Sequence, residues 1–161
     1  MFYIYYVDSF SNYLKESTYM KISAKTEYAC QALLELALHW PKVEPVQINT
    51  IADKHKISLK FLPHILLQLK QFGYVESSRG QKGGYLLAKS PKEISLVDVV
   101  THFNDLKIKG PVQRSKGKVG NVLAAIWEET DQVLLNHLKN INFEDIAQRE
   151  RKLTKIPMYT I

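Results

Sequence analysis

From Ser23 onward, apolar or small side chains fall at Tyr28, Ala29, Ala32, Leu33, Leu36, Ala37 and Trp40, and Pro41 ends the run. Intervals of three and four residues turn one face of a helix toward a core, so the pattern predicts a first helix with a single buried stripe. Thr50 and Asp53 belong to a short periodic stretch, INTIADKH, and are read as a capping box opening a second helix that ends near Lys56. Ser58 is read as the cap of a third helix, with apolar positions Leu59, Leu62, Leu66, Leu69 and Phe72. Gly73 closes it in the left-handed conformation open to glycine.

The period then shortens. Tyr74 and Val75, and after them Tyr85, Leu86 and Leu87, are strand formers flanking a glycine-rich stretch, which predicts a β-hairpin with Arg79 and Lys82 at its tip. Three short helices followed by a basic hairpin is the order of a winged helix-turn-helix, in which one helix enters the major groove and the wing approaches a minor groove. Beyond it, Ser95 and Asp98 form another capping-box pattern, opening a short helix through Phe103. Residues 104-120, NDLKIKGPVQRSKGKVG, read as a mobile linker. Val122, Leu123, Ile126, Trp127, Val133, Leu134, Leu138 and Ile141 then mark one stripe on a long helix, at about 120-140, expected to pack on its own copy. Asn142 with Asp145 caps a last short helix, NFEDIAQRER, whose basic end suits its own dipole, and the final nine residues read as a loose tail. The expected fold is mainly α with a small β-wing. The expected domains are 1-19 as an N-terminal extension, 20-95 as the winged helix-turn-helix DNA-binding domain, and 96-161 as linker and dimerisation helices.

Composition narrows the function. The chain has 161 residues, 45% hydrophobic and 24% charged, as befits a soluble globular domain. Lys and Arg number 22 against 16 Asp and Glu, a net charge of +6. Residues 20-95 hold eleven of those bases against six acids, so an acidic partner such as nucleic acid comes first. No apolar run is long enough for a membrane helix. The first nineteen residues lack a basic leading region, carry Asp8 in their apolar part and do not read as a secretory signal, so a cytoplasmic protein is expected, with Met20 as a possible true start. Cys30 is the only cysteine, which rules out an intramolecular disulfide and four-cysteine metal ligation from one chain. His39, His55, His64, His102 and His137 show no metal-ligand spacing, and Asp98, Glu128, Glu129 and Asp131 sit beside no nucleophile or phosphate loop. Neither a metal site nor an enzyme is expected.

Taken together, MKISAKTEYACQALLELAL, INTIADKHKISLKFLPHILLQLKQFGYVESSRGQKGGYLLAK, and ISLVDVV followed by IWEE and NINFEDIA resemble the Rrf-two (Rrf2) family of bacterial winged-helix transcription regulators, of the IscR, NsrR and CymR types. The likeness covers about 20-152 and rests most on an RG-x-x-GGY wing after the reading helix. It implies that Ser58, Lys60 and His64 lie on the exposed N-terminal face of the recognition helix, Arg79, Gln81 and Lys82 at the wing, and Ser23, Lys25 and Tyr28 against phosphates. The chemistry agrees, since hydroxyls suit phosphate oxygens, Lys and His reach guanine acceptors, and Arg fits a narrow minor groove. Gly80, Gly83 and Gly84 are read as allowing a tight turn and a close approach of backbone to DNA.

Two departures stand out. Several family members carry a Glu where this chain has Pro63, read as about the fifth helical position, where proline removes a hydrogen bond and bends a helix. The cluster-sensing members carry three cysteines in the stretch matching 104-120, where this chain has Lys107, Lys109, Arg114, Lys116 and Lys118 instead. The resemblance therefore implies a cluster-free regulator of the CymR type, with no cofactor. It implies a homodimer that represses transcription from a pseudo-palindromic operator in double-stranded DNA, with a regulatory protein or small molecule as effector. Leu123, Ile126, Trp127, Leu134 and Leu138 are the expected dimerisation residues. The alternatives are a winged-helix protein-interaction module and a small-molecule-responsive regulator with its ligand near the 104-120 linker.

Overall fold

Helix α1 (Ala24–Leu38) runs through the middle of the molecule, and α2 (Ile48–His55), α3 (Leu62–Gln71), strand β2 (Gly84–Leu87), α4 (Leu96–His102) and α6 (Phe143–Thr154) all pack on it. Strand β1 (Val75–Ser78) joins β2 in an antiparallel hairpin, a 3-10 turn spans Pro91–Glu93, and α5 (Gly120–Lys139) packs on α4. The structure, a computed structural model, describes residues 22–41, 44–80, 82–103 and 120–154. Among the described residues the fold is mainly α with a small β-wing, in winged helix-turn-helix order.

Burial explains why α1 is central. Ala29, Ala32, Leu33, Leu36 and Ala37 lie inside one cluster with Ile51 and Ala52 of α2, Leu62, Leu66 and Leu69 of α3, Val75 and Leu87 of the wing, and Phe143 and Ala147 of α6. Small alanines let several neighbours reach one helix at packing distance. The ends of α1 are satisfied locally and remotely. The Ser23 hydroxyl accepts the Thr26 N–H at 3.2 Å. At the other end Arg151 of α6 donates to the Ala37 and Leu38 carbonyls at 3.2 and 3.4 Å. The basic end of α6 thus serves the C-terminus of α1 rather than only its own dipole.

Helix α1 also buries a charge. Glu35 is 1% exposed, and its carboxylate meets the Lys54 ammonium at 2.8 Å and His55 Nε2 at 3.0 Å, both from the last turn of α2. His39 Nδ1 lies 3.6 Å from the same carboxylate and 2.9 Å from the Glu35 carbonyl.

Several local expectations are corrected. Helix α2 starts at Ile48 behind Gln47, with no side-chain cap, so Thr50 and Asp53 form no capping box. The cause is tertiary: Val46 exchanges two backbone hydrogen bonds of 2.9 Å with Tyr85, and the chain turns helical directly after this bridge. Gly84 belongs to the same contact, since a Cβ there would stand 2.7 Å from the Val46 carbonyl carbon. Its smallness serves the approach of β2 to Val46, within the protein. Gly80, at φ +113°, does answer the turn's demand for glycine. Ser95 caps α4 as expected, accepting the Asp98 N–H at 3.2 Å, and Asn142 and Asp145 bond reciprocally at 3.0 and 3.3 Å. Helix α6 reaches Thr154, so Leu153 and Thr154, expected in the tail, are helical.

Replacing Glu35 with Gln should lower stability by about 2 kcal/mol, because His55 and Lys54 lose a charged acceptor in a buried setting. Urea unfolding of both proteins measures it; an unchanged midpoint would contradict the role given to the carboxylate.

Candidate nucleic-acid interface

The segment ahead of α3 folds as a turn. The Ser58 carbonyl accepts from Phe61 N–H at 3.0 Å and Leu62 N–H at 3.1 Å, while the Ser58 hydroxyl accepts from Lys60 N–H at 3.2 Å. Helix α3 begins only at Leu62, so Ser58 and Lys60 stand on the turn and His64 alone of the three lies on the helix. Pro63 falls in the first turn of α3, where no intrahelical N–H partner is needed and the proline ring suits the backbone. The lost hydrogen bond and the bend expected of Pro63 do not arise. Leu62, Ile65, Leu66 and Leu69 point into the core, which leaves Ser58, Leu59, Lys60, Phe61, Pro63, His64 and Leu67 exposed. His64 Nε2 pairs with the Gln68 amide at 3.4 Å.

The wing is tied to this helix. Lys70 Nζ donates to Ser77 Oγ at 2.6 Å, and the strands pair from Val75↔Leu87 to Ser78↔Gly84. Arg79 and Lys82 are exposed at the tip, whereas Gln81 lies outside the described residues. At the base, Tyr74 is buried and its hydroxyl shares a hydrogen bond with His102 Nδ1 at 2.7 Å. Burial, and secondarily the Asp98 charge, push the Tyr74 phenol up to about 12, so it holds its proton. Phe72 stacks on His102 at 4.4 Å, and Lys89 Nζ stands 4.9 Å from the Tyr74 ring centre.

The remaining carried-over residues lie at the start of α1. Lys25 Nζ lies 5.2 Å from the Phe103 ring centre, Ser23 is the N-cap, and Tyr28 is half-buried against the core. A chain of contacts thus joins Lys60 and α3 to the wing through Lys70, the wing to α4 through Tyr74 and His102, and α4 to Lys25 through Phe103. Sequence reasoning placed Tyr74 in the wing strand, which begins only at Val75, and did not single out its pairing with His102 or the contacts of Lys70 and Lys89. Tyr74 and His102 are 28 positions apart, a separation that carries no local signal.

On α5, Val122, Leu123, Ile126 and Val133 are exposed and Leu134 is half-buried. Leu138, expected in a dimer face, is buried within its own chain, and the Trp127 side chain lies outside the described residues. His39 and His55 converge on Glu35 together with Lys54, an ion-pair cluster, and no group of three or more His, Cys, Asp or Glu among the described residues could hold a metal ion. Cys30 is half-buried against the core. An apolar hollow of about 220 Å³ lies between Leu36, Trp40 and Val46 on one side and Tyr85 to Leu87 on the other; of the 104-120 linker, expected as the place of a ligand, residues 104–119 lie outside the described residues. No described helix is long and apolar enough to cross a membrane.

Residues 22–149 match the Rrf2 family, described as iron-dependent transcriptional regulators. The chain is 29% identical over 137 residues to the HTH-type transcriptional regulator IscR of Photorhabdus laumondii, covering 83% of each protein. Among solved structures it is similar to T. potens IscR, with a TM-score of 0.69 and 26% identity over 88% of this chain and 96% of that one. It is also similar to CymR, the global cysteine regulator of B. subtilis, with a TM-score of 0.70 and 26% identity over 80% of this chain and 97% of that one.

The raised Tyr74 phenol has a pH signature. Tyrosine ordinarily ionises near 10.0, and in the folded chain it does so at about 12. The neutral form therefore stabilises the fold fully below pH 10, and that contribution is lost as pH rises toward 12. Between pH 9 and pH 12 the wild type should lose more stability in urea titrations than Tyr74→Phe; equal losses would return Tyr74 to ordinary behaviour.

Proposed function

The chain belongs to the Rrf2 family of DNA-binding transcriptional regulators and is not an enzyme, and from that premise we propose that it works as a homodimeric, sequence-specific repressor on a pseudo-palindromic operator. The observation that carries the reading is the exposed edge of the 58–64 segment, bearing Ser58, Lys60 and His64, braced by Lys70 against a hairpin tipped with Arg79 and Lys82. Residues 20-95 form the reading head. In it, Lys60 and His64 address guanine edges, Arg79, Gln81 and Lys82 the minor groove, and Lys25 the phosphates, with Ser23 and Tyr28 beside it.

Residues 96-161 supply the linker and the dimer contact. Leu123, Ile126 and Leu134, with Trp127, form that contact, and the exposed apolar positions on α5 support it. Leu138 supports α5 from inside the chain. Two heads on a twofold axis require two half-sites, and occupying promoter DNA excludes polymerase sterically. We place the protein in the cytoplasm, with its DNA.

Iron dependence, part of the family's description, does not fit this chain's donors. One cysteine, Cys30 on α1, cannot hold a thiolate-ligated cluster, and residues 104–119 contain neither Cys nor His. The regulator is proposed to act without a cluster.

Metal-free protein incubated with fragmented genomic DNA at moderate salt should enrich fragments sharing a pseudo-palindrome; recovery without any shared motif would contradict the reading. Arg79→Ala should weaken binding most where the minor groove is A/T-rich, and a uniform loss on every sequence would demote Arg79 to a phosphate contact. Ile126→Glu should sediment as a monomer and bind the same fragments at least about tenfold more weakly, since a carboxylate buried in an apolar contact is costly. A dimer of unchanged stability would move the contact elsewhere.

A further inference from the structure

We propose that Leu59 and Phe61 read thymine through the 5-methyl groups that line the major groove, and so set the base preference of this chain. The inference rests on the DNA-binding reading above and concerns which bases it selects. Leu59 and Phe61 are 52% and 54% exposed, although Leu62, Ile65, Leu66 and Leu69 already meet the core's demand for apolar side chains. Single exposed hydrophobic residues are ordinary, but these two share one turn, and Pro63 adds a third apolar side chain beside them.

The surroundings select the partner. Lys60 stands between the two, its Nζ 5.9 Å from the Phe61 ring centre, and Ser58 and His64 border the patch. An ammonium, an imidazole and a hydroxyl around an apolar centre complement a polyanion whose groove floor carries methyl groups. Leu59, Phe61 and Pro63 offer no side-chain donor or acceptor. The one base feature in the major groove that such groups can match is the thymine methyl, while Lys60 and His64 keep the polar contacts to guanine.

The test removes methyl groups and nothing else. A binding sequence is selected from a random duplex library, and each thymine in it is replaced in turn by deoxyuridine, which leaves every hydrogen-bonding edge intact. At the contacted positions binding should weaken about fourfold per methyl, the fold-change expected for burying a methyl-sized group. Phe61→Ala and Leu59→Ala should abolish the penalty at their own positions, with the salt dependence of binding unchanged because phosphate contacts remain. Both side chains are exposed, and circular dichroism checks that the variants fold.

Full affinity for the deoxyuridine duplexes overturns the inference and leaves the DNA-binding reading standing. So does a penalty that survives in both variants. A Phe61→Ala protein that changes its sedimentation while keeping the methyl penalty would assign the patch to a contact between copies, again overturning it. Failure of any sequence to be enriched would overturn the DNA-binding reading and the inference together.

Discussion

A helix packed on most of its sides must satisfy every polar group it carries inside, and in this chain that requirement falls on Glu35. Its carboxylate is buried in the second half of α1, and the Lys54 ammonium and the His55 imidazole that answer it come from α2. Buried ion pairs add little net stability compared with apolar packing, but removing one partner is costly, so such a pair acts as a positional constraint. Lys54 and His55 can both reach Glu35 only when α2 lies in one register along α1. The last turn of α2 is also where cations suit the helix dipole. Lys56 then adopts a left-handed conformation, at φ +55°, and the 58–61 turn follows. The placement of the 58–61 turn therefore descends from a charge buried on a different helix.

A second chain of contacts holds the wing. Lys70 links α3 to β1, the Val46 bridge links β2 to the start of α2, and Tyr74 with Phe72 links the wing base to His102 at the end of α4. Each side of the hairpin thus has its own anchor on the helical core. The tip is left to Arg79 and Lys82, whose exposed charges suit a partner rather than the fold. A regulator that reads two grooves at once, as proposed for this chain, depends on a fixed distance between helix and wing.

What could be read in advance divides along the range of the interaction. The apolar periods of α1 and α3, the hairpin, and the caps at Ser95 and Asn142 are set within a few residues of themselves, and each is legible in the chain. The start of α2 is not, because the Val46–Tyr85 bridge decides it from 39 positions away. Helix α3 begins later than Ser58 suggests, since the Ser58 hydroxyl serves a turn instead and Pro63 occupies the first helical turn. Arg151 reaches Ala37 across 114 positions and Tyr74 reaches His102 across 28, and no spacing rule signals either. The stripe on α5 shows a further limit: periodicity marks Leu123 and Leu138 alike, yet Leu123 is exposed and Leu138 is buried within the chain, so an apolar period alone does not say what the face meets. For the candidate site, the exposed cations were legible from their order along the chain, whereas the buried groups that position them were not.

The most direct test is a footprint of protein freed of metal with a chelator, on a DNA fragment it retains. The proposed cluster-free dimer should protect two half-sites centred about one helical turn, or a multiple of it, apart, with protection identical before and after iron and sulfide are supplied. Protection of a single half-site, or protection that appears only with iron and sulfide, would contradict a cluster-free dimer built on this head.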